Sequence, residues 1–198
     1  MSPRIVLASQ SGSRKAILTG AGVPYEAVSP GVDEDALKDG LLASGASPRE
    51  VAAALAEAKA IALPRAADEL VIGADQTLEF EGRLYDKAAS LEEARGRLKL
   101  LRGHTHRLEA AVVVARGGVP IWREAVTSTL TMRDFSDDFL ETYLVEEGPA
   151  SLSSVGCYRL EGPGAQLFSQ IEGDYFAILG LPLLGLLELF RREGALAA

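Results

Sequence analysis

Hydroxyl and basic side chains near the N-terminus are of the types that bind phosphate groups. In LASQSGSRKAIL, Ser9, Ser11 and Arg14 lie between an apolar stretch and a helix-like pattern. Free N–H groups and the helix dipole make such a turn an anion site, and an arginine can bind phosphate with two N–H groups. The spacing of a Walker A loop does not occur here. Two interpretations stay open, a phosphate-binding turn and a polar connection whose serine caps the helix.

Two acidic segments follow. VDEDALKDG places Glu34 among three consecutive acids in a loop-like region, where hard cations such as Mg²⁺ would find carboxylate oxygens. The alternative is a solvated acidic loop. VIGADQ brings Asp75 and Gln76 to the end of an apolar strand, where α/β sheets place ligand groups. Asp75 could deprotonate a water, hold a metal, or only form a turn.

Other reactive residue types are less specific. Lys59 and Lys87 could each meet a phosphate as a point charge or lie on the surface. His104 and His106 would share one face of a strand, but no third histidine exists, so ordinary polar roles are favoured over zinc. Cys157 lies in the strand-like stretch SSVGCYRL and is interpreted as a buried, inert thiol.

Two acids stand out late in the chain. Glu161 precedes a Gly-Pro-Gly turn, and Asp174 follows Gly173 at the predicted start of a strand. Pro182 introduces the last helix, and the leucine-rich face of that helix is typical of core.

Strand-like and helix-like patterns alternate along the chain and would position these side chains. The clearest helix follows Ser47, where Pro48 suits the first turn and Glu50 completes a capping box; Ser90 and Ser136 precede two further helices. The predicted strands are Arg4 to Ala8, Tyr25 to Ser29, Glu69 to Ala74, Arg107 to Ala115 and Ile121 to Met132, with a hairpin in TLEFEGRLYDK. This order predicts an α/β fold with a mixed sheet, in a single domain over residues 1–198.

Charge and composition exclude several classes of protein. With 198 residues, 47% of them hydrophobic, the chain is typical of a globular protein. The net charge of −8 argues against long nucleic acid as a partner, although a small anion needs only a few local cations. A single cysteine rules out a disulfide framework and fits the cytoplasm. We expect no signal peptide in MSPRIVLASQ and no membrane span, because the longest apolar stretch near the C-terminus is too short.

Eight short motifs occur in the order typical of one family. LASQSGSR, VDE, EAKA, GADQ, DK, LRGHTH, VGCYRLEG and GDYFAILGLP resemble the Maf family of nucleotide pyrophosphatases, from Leu7 to about Gly194. The resemblance implies hydrolysis of a nucleoside triphosphate between the α- and β-phosphates. It also implies a divalent cation (Mg²⁺ or Mn²⁺), a cytoplasmic location and often a homodimer. The implied fold is two-lobed (Maf/ITPase-like), with an elongated mixed β-sheet flanked by helices and a central cleft.

The resemblance also implies residue roles. Asp75 would be the proton acceptor, beside the active-site lysines Lys59 and Lys87. Glu34 would hold the metal together with Asp75. The residues implied to bind substrate are Ser9, Ser11 and Arg14 in the phosphate-binding turn and Asp174 in the cleft.

Three positions separate branches of the family, and here they are Ser13, Gln76 and Glu161. The last two resemble the branch that prefers 7-methyl-GTP, since a carboxylate can accept guanine N–H groups and favour a methylated, positively charged base. The alternatives are a dTTP/UTP pyrophosphatase, a nucleotide-binding regulator of cell division with little turnover, and a phosphatase that releases orthophosphate. Two positions depart from the family pattern: Ser13 replaces a bulky residue, and Ala88 replaces a proline.

Overall fold

The computed structural model describes residues 2–63, 66 and 68–197. Their backbone forms two compact units. The first is drawn from Met1–Gln76, Glu109–Val126 and Asp174–Ala198, and the second from Thr77–Leu108 and Thr127–Gly173. Residues 1 and 198, the predicted limits of the domain, lie outside the described residues.

The described strands form one mixed sheet. They are β1 (Arg4–Leu7), β2 (Glu26–Ala27), β3 (Glu69–Phe80), β4 (Arg83–Tyr85), β5 (Thr105–Arg116), β6 (Val119–Met132) and β7 (Phe168–Glu172). Their order is β2-β1-β3-β5-β6-β7, with β4 paired to β3. β1 runs parallel to β2 and β3, whereas the β3–β4 and β6–β7 pairs are antiparallel. The predicted α/β fold with a mixed sheet is confirmed.

Helices connect and cover these strands. They are α1 (Gly12–Gly20), α2 (Glu34–Ala43), α3 (Pro48–Ile61), α4 (Leu91–Leu101), α5 (Asp137–Glu147), α6 (Tyr175–Ile178) and α7 (Leu183–Arg192), with 3-10 helices at Gly148–Ser153 and Pro163–Leu167. The capping box of α3 is present: the Glu50 N–H donates to Ser47 Oγ, and the Ser47 N–H donates to Glu50 Oε2 at 2.8 Å. Ser90 and Ser136 cap α4 and α5 as predicted. None of the described helices is long and apolar enough to cross a membrane.

Several local predictions were wrong. Asp75 and Gln76 do not follow the end of a strand, because β3 continues to Phe80. The acidic segment is not a loop, because Asp33 Oδ1 accepts the Ala36 N–H and so starts helix α2. Asp174 caps α6 instead of opening a strand, since its Oδ1 accepts the Ala177 N–H at 2.7 Å. Cys157 is not in a strand; its φ of 60° interrupts any extended backbone there.

In the first unit, both faces of the sheet are covered. Alternate β5 residues therefore contribute to two separate cores, which explains the continuous apolar run of this strand. The first core joins β1, β3 and β5 to α1 and α7 through buried residues that include Leu7, Ile72, Val112, Leu186 and Phe190. The second joins β5 to α3 through small side chains: Ala52, Ala56, Ala60, Ala111, Val113 and Ala115.

The alanine face of α3 packs closely on the neighbouring strand β3, at Gly73. A Cβ built on Gly73 would overlap the Ala56 carbonyl oxygen and the Ala60 nitrogen, and would lie 3.0 Å from Ala60 Cα. These are backbone atoms of a helix, which no side-chain rotation can move away. Only glycine therefore allows this approach.

In the second unit, α4, α5 and β6 supply fully buried side chains, namely Leu98, Leu101, Leu130, Met132 and Leu140, and Phe135 between β6 and α5 is the largest. His106 is 1% exposed and shares a 2.7 Å hydrogen bond with the Tyr158 hydroxyl. The described residues contain no group of three or more potential metal ligands.

We predict that Gly73→Ala destabilises the protein by about 2–4 kcal/mol, because the added methyl must displace helix backbone. Urea unfolding followed by circular dichroism measures this. Gly96→Ala is the matched control: Gly96 lies in α4 with no atom within 4 Å of a built Cβ. That change should stabilise by up to about 1 kcal/mol. Equal stabilities of the two variants would contradict the packing described above.

A pH dependence follows from His106. Burial lowers the pKa of His106 to about 4, whereas an unfolded histidine has a pKa of about 6.5. Between these values the unfolded chain binds more protons, so the free energy of unfolding falls as the pH drops through this window. We expect wild type to lose about 2 kcal/mol more than His106→Gln between about pH 7.5 and 5. His104→Gln, at an exposed position, should follow wild type; parallel curves for wild type and His106→Gln would refute the prediction.

Candidate active site

Lys59 lies between two carboxylates. Its ammonium group is 2.7 Å from Asp75 Oδ1 and 2.7 Å from Glu34 Oε2. The Lys59 side chain is 5% exposed, Asp75 13% and Glu34 47%. The cluster is therefore closed around the lysine and the aspartate and open on the side of the glutamate.

Three elements bring this cluster together. Glu34 is the first residue of α2, Lys59 lies in the last turn of α3, and Asp75 lies within β3. The close contact at Gly73 sets α3 against β3 two residues before Asp75. Gly73 has no side chain that would keep α3 away from the sheet. Lys59, the residue before Ala60, therefore lies close enough to reach Asp75.

The turn after β1 is organised around Ser9. Its hydroxyl oxygen accepts the Ser11 N–H at 3.2 Å and Arg14 Nη1 at 3.2 Å. Ser11 caps α1 by accepting the Arg14 N–H. The capping interpretation is confirmed for Ser11, and Ser9 holds the arginine side chain. Phosphate binding by this turn stays a prediction.

A second turn, Asp174 to Gly180, holds two of the predicted residues. Arg14 Nε donates to the Gly180 carbonyl at 2.9 Å. Gln76 Nε2 donates to the carbonyls of Ala177 and Ile178 at 2.8 and 3.0 Å. Gly180 has a φ of 99°, a conformation that glycine adopts without strain. The turn thus orients Arg14 and Gln76 from the same backbone.

The charges of this unit affect one another. Burial lowers the pKa of Arg14, and the nearby Asp75 and Glu34 oppose that effect. Burial also raises the pKa of Glu124 in β6, with Asp174 adding to the rise. The first unit therefore combines a half-buried guanidinium, a buried ammonium and several acids, an arrangement that can neutralise a phosphate and accept a proton.

The remaining predicted residues are placed differently. Ser13, in the first turn of α1, is half-buried. Lys87 and Glu161 belong to the second unit, and both are exposed. Lys87 follows β4, and Glu161 precedes the 3-10 helix at Pro163–Leu167.

Some site features were missed from the sequence. Gly73 looked like an ordinary strand glycine, and no local pattern reports a helix packed against it. Glu124 lies in an alternating strand; its Oε2 is buried and has no hydrogen-bond partner among the described residues. The glycine at position 180, two residues before the Pro182 that introduces the last helix, is the sequence signal that could have indicated the turn that binds Arg14.

Glu34 and Asp75 are the ligands that the family resemblance implies for a divalent cation, Mg²⁺ or Mn²⁺. Glu34 and Asp75 converge on one cation, the Lys59 ammonium, so they can share a positive group. The described residues provide no cluster of three or more ligands. Two carboxylates fit Mg²⁺ or Mn²⁺ when substrate phosphates and water supply the other ligands.

Comparison with known proteins extends over nearly the whole chain. Residues 4–193 match the family described as Maf-like protein. The chain is 60% identical over 192 residues to a nucleoside triphosphate pyrophosphatase of Caulobacter vibrioides, covering 97% of this chain and 96% of that one. It is 48% identical over 199 residues to the 7-methyl-GTP pyrophosphatase of Rhizobium meliloti, covering 100% of both. It is also 46% identical to the 7-methyl-GTP pyrophosphatase of Brucella abortus, over 98% of each chain. Because the family match spans residues 4–193, the chain belongs to the Maf-like protein family.

Proposed function

We propose that this protein is a nucleoside triphosphate pyrophosphatase, which hydrolyses the bond between the α- and β-phosphates to give a nucleoside monophosphate and pyrophosphate. The observation that carries the proposal is the Lys59 ammonium held between Asp75 and Glu34. A nucleotide-binding site without turnover has no need of a carboxylate positioned by a buried cation. The relatives at 60% and 48% identity are named as pyrophosphatases of this kind.

Positive groups would neutralise the triphosphate. Arg14 is fixed by Ser9 and the Gly180 carbonyl, and its remaining N–H groups can bind phosphate oxygens in pairs. Lys59 adds a point charge in the same unit. The family resemblance implies a further phosphate-neutralising charge at Lys87. Phosphoryl transfer depends mainly on positioning and on charge neutralisation, so such a set is sufficient without a covalent nucleophile.

Asp75 would accept the proton of the attacking water. The water oxygen bonds to the α-phosphorus as the bond from that phosphorus to the bridging oxygen breaks, and pyrophosphate leaves with the bridging oxygen. Asp75 Oδ1 is held by Lys59 at 2.7 Å, which orients the carboxylate. A positioned general base of this type contributes about 10²- to 10⁴-fold in rate.

Glu34 and Asp75 would hold the divalent cation, Mg²⁺ or Mn²⁺. When bound, such a cation neutralises charge on the phosphate oxygens. Lys59 contacts both carboxylates in the structure, so it keeps them converged.

We further propose a preference for 7-methyl-GTP, as in the names of the Rhizobium and Brucella relatives. Gln76 Nε2 donates to two backbone carbonyls, so this residue would offer a base only its Oε1 acceptor. Glu161 is a further acceptor and carries a negative charge that favours a methylated guanine. A dTTP/UTP activity is the alternative within the family. Homodimer formation and a cytoplasmic location remain predictions from the family resemblance.

The first experiment replaces the proton acceptor. Asp75→Asn keeps the shape of the side chain but removes its basicity, and we expect kcat for pyrophosphate release to fall at least about 100-fold. Glu57→Gln is the matched control, because Glu57 lies in α3 and pairs with Arg123 at 2.8 Å without contacting Lys59 in any described bond. Full activity of Asp75→Asn would refute the mechanism.

The second experiment concerns the base. A panel of 7-methyl-GTP, GTP, dTTP and UTP is assayed with Mg²⁺ or Mn²⁺, scoring pyrophosphate against orthophosphate release. We expect 7-methyl-GTP to give the highest kcat/KM, and Glu161→Gln to lower its advantage over GTP by about tenfold, since a charge–charge attraction is lost. Glu146→Gln, also exposed in the second unit, should leave the ratio unchanged. A higher kcat/KM for dTTP or UTP would favour the other branch, and nucleotide binding without pyrophosphate release would favour the regulator.

A further inference from the structure

Arg97 is a buried cation that none of the predicted roles uses. It lies in α4, is 9% exposed, and its guanidinium carbon lies 4.6 Å from the centre of the Tyr85 ring. The nearest carboxylate recorded for it is Glu93, at 3.7 Å and half-exposed. A buried guanidinium is retained where its N–H groups have defined acceptors, and here those acceptors are mainly backbone carbonyls.

The two acceptors belong to separate backbone segments. Arg97 Nη1 donates to the Asp86 carbonyl at 2.9 Å and to the Val155 carbonyl at 2.9 Å. Asp86 directly precedes Lys87, and Val155 begins the segment that leads to Glu161. One side chain therefore joins the loop of a predicted active-site lysine to the segment of a predicted specificity residue, all within the second unit.

A second contact joins the same two segments on the other side of Lys87. Burial raises the pKa of the Cys157 thiol, and the Arg97 charge and a hydrogen bond from the Ala88 backbone oppose that rise. Ala88 is the position where the family pattern has proline. A proline has no N–H to donate, so this contact is possible only because the proline is missing.

The segment from Val155 to Glu161 is itself anchored to α5. The Tyr143 hydroxyl donates to the Cys157 carbonyl at 3.0 Å. Arg159 donates to both carboxylate oxygens of the buried Glu147, at 2.8 and 3.1 Å. Arg97 therefore ties the lysine loop to a fixed support.

We propose that Arg97 is a positioning residue for Lys87: by holding the carbonyls of Asp86 and Val155 it fixes the lysine loop against the segment that carries Glu161. The proposal rests on the proposed function, in which Lys87 neutralises phosphate charge. Since Ala88 does not stiffen the backbone as a proline would, the loop depends on the bonds of Arg97 for its position.

A double-mutant cycle tests whether Arg97 acts through Lys87. Arg97→Met keeps the apolar stem and removes the hydrogen bonds, and we expect kcat for pyrophosphate release to fall about 10- to 100-fold. In a Lys87→Ala background the same change should alter kcat less than about twofold, because the lysine that it positions is gone. Multiplied losses in the double variant would overturn the proposal. Arg97→Lys can reach one carbonyl and should give an intermediate loss; it carries the same cycle if Arg97→Met fails to fold.

The position of the loop from Asp86 to Ala88, which carries Lys87, can also be measured independently of activity. Hydrogen exchange of the Ala88 amide should become faster in Arg97→Met and stay as in wild type in Arg95→Met. Arg95 lies in the same helix but pairs with the exposed Glu92 and Glu141, and its replacement should leave kcat within about twofold. Unchanged exchange in Arg97→Met would overturn the proposal even if activity fell. Wild type that releases no pyrophosphate from any nucleotide would instead refute the proposed function, and the role of Arg97 with it.

Discussion

The backbone contact between α3 and β3 at Gly73 is the constraint on which the rest of the first unit depends. Small residues on one side of the helix bring it so close to the sheet that no Cβ fits at that point. The side chain of Lys59 consequently extends from α3 to Asp75. Helix α2 packs on α3 and brings Glu34 to the same Lys59 ammonium group. A buried lysine is costly without such partners. Packing and electrostatics therefore support each other, since the helix position supplies the lysine with two carboxylates.

The second determinant is a turn whose backbone carbonyls orient charged and polar side chains. Arg14 and Gln76 come from distant parts of the chain, yet both donate to the segment between Asp174 and Gly180. Asp174 caps the short helix in that segment, so it stabilises the support for two other predicted site residues. In the second unit, Arg97 donates to the backbone carbonyls of Asp86, next to Lys87, and Val155, at the start of the segment that leads to Glu161. In each unit, backbone carbonyls thus set the geometry of polar or charged side chains.

Local signals in the sequence predicted much of this fold. Ser47 and Glu50 predict the start of α3, because a capping box is formed by residues three apart. The alternation of apolar and polar residues in TLEFEGRLYDK likewise predicts the β3–β4 hairpin. The acidic segment after Pro30 was mistaken for a loop because three adjacent acids suggest solvation, although Asp33 supplied a helix cap. The ion pairs of Lys59, the carbonyl acceptors of Gln76 and the role of Arg97 join residues far apart in the chain. Contacts between residues far apart in the chain produce no periodic sequence pattern. The family resemblance could therefore indicate site residues but not the residues that they contact.

The hydrogen bonds of Gln76 bear on how substrate preference can change during evolution. Its amide ties β3 to the carbonyls of Ala177 and Ile178. A shorter residue such as threonine has a side chain that cannot reach both acceptors. A buried carbonyl that loses its donor costs about 1–3 kcal/mol. Replacement of Gln76 by a shorter residue would therefore weaken the turn that also holds Arg14, and a change of the proposed base preference through this position would need compensating changes in the turn.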